Sequence, residues 1–305
     1  MSYILRITEL RCFIPQFKQR GYVILDVTFP PAKLGFPHRT GGVMNEIKTP
    51  KHTIGKSVEK LRPIDDTFTQ KLGENKDFCE ELLRVVLNNS ELKIISNTTQ
   101  KTLHNIDTRS VTIDIKCICE SGTIFGVEVQ KSNNDDHQKR VRYNSSCIQI
   151  QSLEKCSSFK ELPDVCMIYI TETDFLRRGK TIYHIDRIIR ETGEVITNGY
   201  TEIYINSEID DGSALAEYMK IFKSETVSKN QNFPVICRLT EYYKHGEGRK
   251  NMCEIVENYA KACMREQAIA IAIKSIKKGY SNEDIIDLTG LSLEEIEELK
   301  TTSPI

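Results

Sequence analysis

The sequence predicts a mixed α/β fold in which helices pack against a central sheet. Residues 112–133, TIDIKCICESGTIFGVEVQKSN, alternate apolar and polar positions on two arms around a tight turn, the pattern of a half-buried hairpin. Residues 164–171, DVCMIYIT, form a continuous apolar run rich in β-branched and aromatic residues, which reads as a buried strand. Helical spacing lies before, between and after these stretches. The order helix, strand, hairpin, helix, strand suits a sheet with helical cover.

From the amino terminus, residues 1–61 read as poorly structured. FPPAKLGFPHRTGG holds Pro30, Pro31 and Pro37 and shows no periodicity. Gly41-Gly42-Val43 can be encoded as GGAGGTGTN before the ATG of Met44, a purine-rich ribosome-binding sequence just upstream of a start codon. Residues 1–43 are therefore either an upstream extension of a protein that starts at Met44 or a genuine weakly structured arm. Residues 45–63 are a polar, basic lead-in. A helix is expected from near Asp77, with Phe78, Leu82, Val85 and Val86 on one face and Asp77 and Glu80 as a capping box. Glu80 and Glu81 are cap and surface residues or, alternatively, an additional catalytic acid.

Residues 90–110 read as a short strand, LKIIS, followed by a polar loop. After the hairpin, QKRVRYNSSCIQIQSL reads as a helix. TEIYIN is a further strand, and the chain turns helical from Ala214. The expected organisation is a core over 62–235, a helical region over 236–275 and a helix-turn-helix-like tail over 276–305. In the tail, Ser281 with Asp284 and Ser292 with Glu295 start two short helices around Thr289-Gly290. Three basic residues against seven acidic ones over 276–305 disfavour phosphate contact there. Packing or a protein contact suits the tail better.

Composition narrows the class. Hydrophobic residues at 39% and charged residues at 28% give an ordinary soluble balance, and no apolar run is long enough to span a bilayer. Ten cysteines without a CxxC, and no convincing signal peptide, point to thiols in a reducing cytoplasm. Cys117 and Cys119 share one strand face and read as small buried hydrophobes. Six scattered histidines offer no zinc spacing. A net charge of −1 means that a nucleic-acid partner requires a local basic patch.

The hairpin holds the candidate site. A three-residue loop places glycine last in the left-handed conformation, and Glu120-Ser121-Gly122 fits. Cys119 then pairs with Thr123, Asp114 falls opposite Glu128, and Thr112 falls opposite Gln130. Val111, Ile113, Ile115 and Cys117, with Phe125, Val127 and Val129, form the core face. A two-residue loop would leave one acid in the core, so the apolar pattern selects three residues. Two facing carboxylates repel unless they are protonated or bridged by a cation. Hard oxygen ligands suit Mg²⁺, which keeps several waters and takes substrate phosphate oxygens.

Asp114, then Glu128-x-Gln130 on the next strand, then a helix with Arg140 and Tyr143, resembles the PD-(D/E)XK nuclease superfamily. The pattern is most similar to its nuclease-family transposases, or recombination-promoting nucleases. DDTFTQKLG (65–73), FGVEVQ, KRVRYNSS, SFKELPDVCMIYIT and the tail follow that group's order over roughly residues 62–300. The resemblance implies a restriction-endonuclease-like core and a DNA endonuclease that uses Mg²⁺ or Mn²⁺. Asp114 and Glu128 would be metal ligands, with the Val129 carbonyl a third. Gln130 would stand at the usual lysine position, where it can orient water or phosphate but adds no charge. Lys131, next along, points to the other face.

The family would need a basic patch, and residues 137–160 carry Lys139, Arg140, Arg142, Lys155 and Lys160 against Glu154 alone. Lys139, Arg140, Arg142 and Tyr143 are the DNA-binding candidates. Two alternatives stand beside an active nuclease. One is an inactive nuclease fold that binds DNA or a protein partner. The other is a structural α/β protein whose Asp114 and Glu128 are surface charges, locally neutralised by Lys116.

Overall fold

The computed structural model describes residues 51–103, 110–131 and 136–302. Residues 1–43 and the Met44 start lie outside the described residues. Nine helices and six strands are described: α1 Lys51–Lys60, α2 Asp66–Gly73, α3 Lys76–Leu87, β1 Ile94–Leu103, β2 Val111–Cys119, β3 Ile124–Gln130, α4 His137–Ser152, β4 Val165–Thr171, β5 Ile182–Ile185, β6 Tyr200–Asn206, α5 Ala214–Phe222, α6 Pro234–Lys244, α7 Arg249–Lys277, α8 Asn282–Thr289 and α9 Leu293–Thr302. The strands form one mixed sheet in the order β1-β2-β3-β4-β6-β5. The β3–β4 and β4–β6 pairs are parallel and the others antiparallel. The mixed α/β expectation holds, and the sheet with its flanking helices is a restriction-endonuclease-like core.

Both faces of the central strands are buried, which explains why β4 is apolar throughout. Cys166, Ile168 and Ile170 face a large core with α2, α3, α5, α6 and the first half of α7. Val165, Met167 and Tyr169 face a smaller core under α4, with Val141, Cys147 and Ile148. Gly126 lets α4 lie close. A Cβ there would stand 2.6 Å from Met167 Sδ and 2.9 Å from Ile148 Cδ1. The tail packs as a third cluster, Ile285, Leu291 and Ile296, against Ala272 late in α7.

Several boundaries shift. The segment read as a polar lead-in forms α1 from Lys51, and Ile54 and Val58 join the main core. Asn75, not Asp77, caps α3, its side chain accepting from Phe78 N–H. Strand β1 continues to Leu103 through residues read as loop, because the side chains it turns to α2 are the polar Asn97 and Thr99 and most of the others are exposed, which leaves little apolar signal. The expected boundary at 235/236 falls inside α6, whose Ile236, Cys237 and Leu239 belong to the main core. In the tail, Ser281 and Ser292 cap α8 and α9 as read, and Gly290 takes φ +69° between them.

Candidate active site

The hairpin turn forms as its residues dictate. Gly122 has φ +84°, and Cys119 N–H donates to the Thr123 carbonyl at 3.1 Å. From there the register runs Ile118–Ile124, Cys117–Phe125, Lys116–Gly126 and Ile115–Val127. The next pair would be Asp114 and Glu128, as the sequence register has it, but the ladder stops one step short. Val129 N–H donates instead to Asp114 Oδ2 at 2.9 Å. On the other side of β2, Gln100 adopts φ +50°, drops out of the β1–β2 register and donates from Nε2 to Asp114 Oδ1 at 3.2 Å.

These departures part the strands at Asp114 and alter the core assignment. Ile115 and Cys117 join Phe125, Val127 and Val129 in the main core as expected, but Val111 and Ile113 join the cluster under α4. Burial therefore changes side at Asp114, where β2 leaves its partner. Thr112 does not pair with Gln130; its hydroxyl meets that of Thr102 across β1 at 3.2 Å.

A cleft of about 750 Å³ opens where the strands part. Asp114, Glu128, Val129 and Gln130 line it, and so do Lys139, Arg140, Arg142 and Tyr143 from α4. Glu80 and Glu81 lie elsewhere. Glu80 pairs with Arg84 at 2.9 Å and accepts from Ile94 N–H. Glu81 accepts the N–H groups of Val235 and Ile236, both at 2.9 Å, and so caps α6. Both acids serve as helix and strand supports, which corrects their reading as a possible additional catalytic acid.

Besides Gln100, two lining residues that act on the acids escaped the sequence reading. Asp66, in the first turn of α2, raises the pKa of Asp114 by its charge. It is the second acid of the quoted Asp65-Asp66 pair, so its signal was present without a side-chain direction. Asn144 is buried on α4 one turn beyond Arg140, and its side chain interacts with Glu128 and favours the charged form. Tyr143 lies three residues beyond Arg140 and Asn144 four, so both stand on the side of α4 that carries Arg140.

The electrostatics set this cleft apart. Burial pushes the Asp114 carboxyl up to about 7, aided by Asp66 and opposed by the Val129 N–H, Gln100 and Arg140. Glu128 is 7% exposed, and burial followed by the Asp114 charge raises its pKa well above the usual range. Its Oε1 is buried without a hydrogen-bond partner among the described residues. A buried carboxylate oxygen with no donor costs free energy unless a proton or cation meets it. Lys116 makes no ion pair with either acid among the described residues, so the local neutralisation considered for it is missing.

Could these groups hold a divalent cation? Among the described residues, no three His, Cys, Asp or Glu side chains gather into a complete cage. Mg²⁺ does not need one, since it takes one or two carboxylates and keeps water and phosphate for the rest. The orphaned Oε1 of Glu128 and the two raised carboxyls fit that demand.

Residues 67–211 match the family model described as PD-(D/E)XK nuclease family transposase. Neither the search of curated proteins nor that of solved structures found a match. Among the described residues, no helix is long and apolar enough to cross a membrane. Motif order, sheet architecture and family model agree, and over residues 67–211 the chain is similar to the PD-(D/E)XK nuclease family transposases.

Proposed function

We propose that the protein is a DNA endonuclease of a mobile or recombination-promoting element, dependent on Mg²⁺ or Mn²⁺ and acting in the cytoplasm. The observation that supports this most directly is the buried, partnerless Oε1 of Glu128 beside Asp114, at the point where β2 and β3 part. Asp114 and Glu128 would hold the ion, with the Val129 carbonyl as a third protein ligand. When bound, such an ion acidifies a water and stabilises charge on a phosphodiester under in-line attack.

The chain's own groups do the rest. Gln130, at the end of β3, orients the attacking water or a phosphate oxygen. Arg140 sets its charge beside the acids, where negative charge develops during cleavage. Lys139, Arg142 and Tyr143 contact the DNA backbone along α4. Asp66 adds a third negative charge at the rim.

A second function, an inactive nuclease fold that binds DNA or a protein partner, is favoured by one feature. Gln130 stands where the superfamily usually has lysine, and the neighbouring Lys131 is tied to Asp65 at 2.9 Å. Plasmid DNA incubated with purified protein, with Mg²⁺ or with chelator, separates the two. Nicking or linearisation only with the metal supports the nuclease. DNA binding without cleavage under either ion leaves the inactive fold. Strand joining is no part of the proposal, because cutting does not establish it.

A further inference from the structure

The candidate DNA contacts named so far all lie on α4. A second cationic element stands on the same edge of the sheet, in the loop that follows β4. Strands β3 and β4 are parallel, and Gln130 pairs with Thr171. The loop from Glu172 to Lys180 therefore starts about 4.8 Å, one strand spacing, from the cleft end of β3. It carries Arg177, Arg178 and Lys180, all exposed.

This loop is ordered from within. The Asp174 carboxylate accepts the N–H groups of Arg177, Arg178 and Gly179 at 3.1, 3.0 and 2.8 Å, and the Tyr183 hydroxyl at 2.9 Å. Tyr183 in turn accepts Lys180 N–H at 3.0 Å. Arg177 is held at φ +54°, a conformation costly for a residue with a side chain. Phe175 packs on His137, the first residue of α4, with ring centroids 4.4 Å apart. The loop is thus fastened beside the helix that lines the cleft.

The three cations have no carboxylate within ion-pair distance among the described residues. Nearby acids are engaged elsewhere. Glu172 pairs with Arg62, Asp174 clamps the turn, Glu208 accepts Asp174 N–H, Asp210 pairs with Lys220, and Asp211 bonds Ser213. The loop leaves β4 one strand from the cleft and ends with the Lys180 carbonyl bonded to Asn206 of β6, so its three cations, without an ion pair among the described residues, are placed to meet phosphates of a polyanion that extends out of the cleft past β4.

We infer that Arg177, Arg178 and Lys180 form a second phosphate-binding element for the DNA duplex, beyond the cleft on the side of β4 and β6. The inference rests on the nuclease reading for the identity of the polyanion, and its test separates the two. Each phosphate neutralised contributes about −0.9 to the slope of log affinity against log salt. Binding of a short DNA duplex is measured without divalent metal, from low to physiological salt, for the full chain and for Arg177→Gln, Arg178→Gln and the triple Arg177→Ala/Arg178→Ala/Lys180→Ala. All three side chains are exposed, so an unchanged thermal midpoint is expected. The single variants should flatten the slope by about 1, and the triple by about 2 to 3 with about tenfold or greater loss of affinity at physiological salt. A folded triple variant with wild-type affinity and slope overturns this inference and leaves the nuclease reading standing. A wild-type protein that neither binds nor cuts DNA overturns both.

Discussion

Two acid clusters lie side by side in this protein and behave in opposite ways. Asp65 is 2% exposed and surrounded by cations: Lys131 at 2.9 Å and Arg62 at 3.1 Å, with Arg62 N–H adding a bond at 2.7 Å. Burial pushes its carboxyl up, but the Lys131 charge and these hydrogen bonds outweigh it, and its pKa falls below the ordinary value. Asp114 and Glu128 have no such partners, and burial drives both upward. The two clusters interleave in sequence, for Asp65 and Asp66 are neighbours, as are Gln130 and Lys131. Asp65 and Lys131 form the ion pair, Asp66 and Gln130 line the cleft, and Lys131 stands at the border of both. A buried acid that stabilises the fold is already neutralised. One kept without a partner is available to a ligand.

The sharpest way to break this contrast is to delete the acids one at a time. Asp114→Ala or Glu128→Ala should abolish Mg²⁺-dependent cleavage while the metal-free protein unfolds at the same temperature or higher, because repulsion is relieved. Plasmid cleavage and a thermal melt, run in parallel, check this. A well-folded Asp114→Ala protein that cleaves like wild type removes the site assignment. Asp65→Ala should do the reverse at the level of the fold. It strands Lys131, whose side chain is 6% exposed, and should cost about 3–5 kcal/mol in denaturant unfolding.

Gln130→Leu keeps the bulk and loses the polar group. Single-turnover cleavage at saturating Mg²⁺ should fall by about 100-fold, the scale of one lost transition-state donor. Gln130→Lys should retain activity. Equal rates for Gln130→Leu and wild type would remove Gln130 from the chemistry.

The same contrast has a signature in pH. A carboxyl with a raised folded pKa binds its proton more tightly in the native state, so stability falls as pH rises from the unfolded value to the folded one. For Asp114 that window runs from 3.8 to about 7. Asp65, with a lowered pKa, contributes stability present above its unfolded value and lost as the solution is acidified. Metal-free melts between pH 4 and 7 should therefore lose less stability on raising the pH in Asp114→Asn/Glu128→Gln than in wild type. Saturating Mg²⁺ should flatten the wild-type curve. The smallest effect belongs to Glu80→Gln. It should leave cleavage unchanged and cost about 1 kcal/mol, since Glu80 supports Ile94 N–H and Arg84 outside the cleft.

The apolar pattern by itself determined much of this protein. Counting back from Gly122 sets the hairpin register, because a slip of one residue would bury an acid. The alternating burial of β2, the continuous run of β4 and the caps at Ser281 and Ser292 follow from local chemistry. So does the facing of Asp114 and Glu128, whereas Gln130 and the basic face of α4 are candidates through the family resemblance. Strand β1 escaped because an exposed edge strand needs few apolar residues, and α1 because its core-facing Ile54 and Val58 sit in a polar segment.

Only the tertiary structure decided what these acids experience. The break in pairing at Asp114 depends on Gln100, fourteen residues away on another strand, and on Val129 N–H turning to a carboxylate instead of a carbonyl. The neutralisation of Asp65 depends on Lys131, distant in sequence, reaching it across elements. Sequence periodicity reports which residues share a face of one element. It does not report which charges meet across elements, and desolvation and partner distance, both set by that meeting, decide whether a buried carboxylate is satisfied.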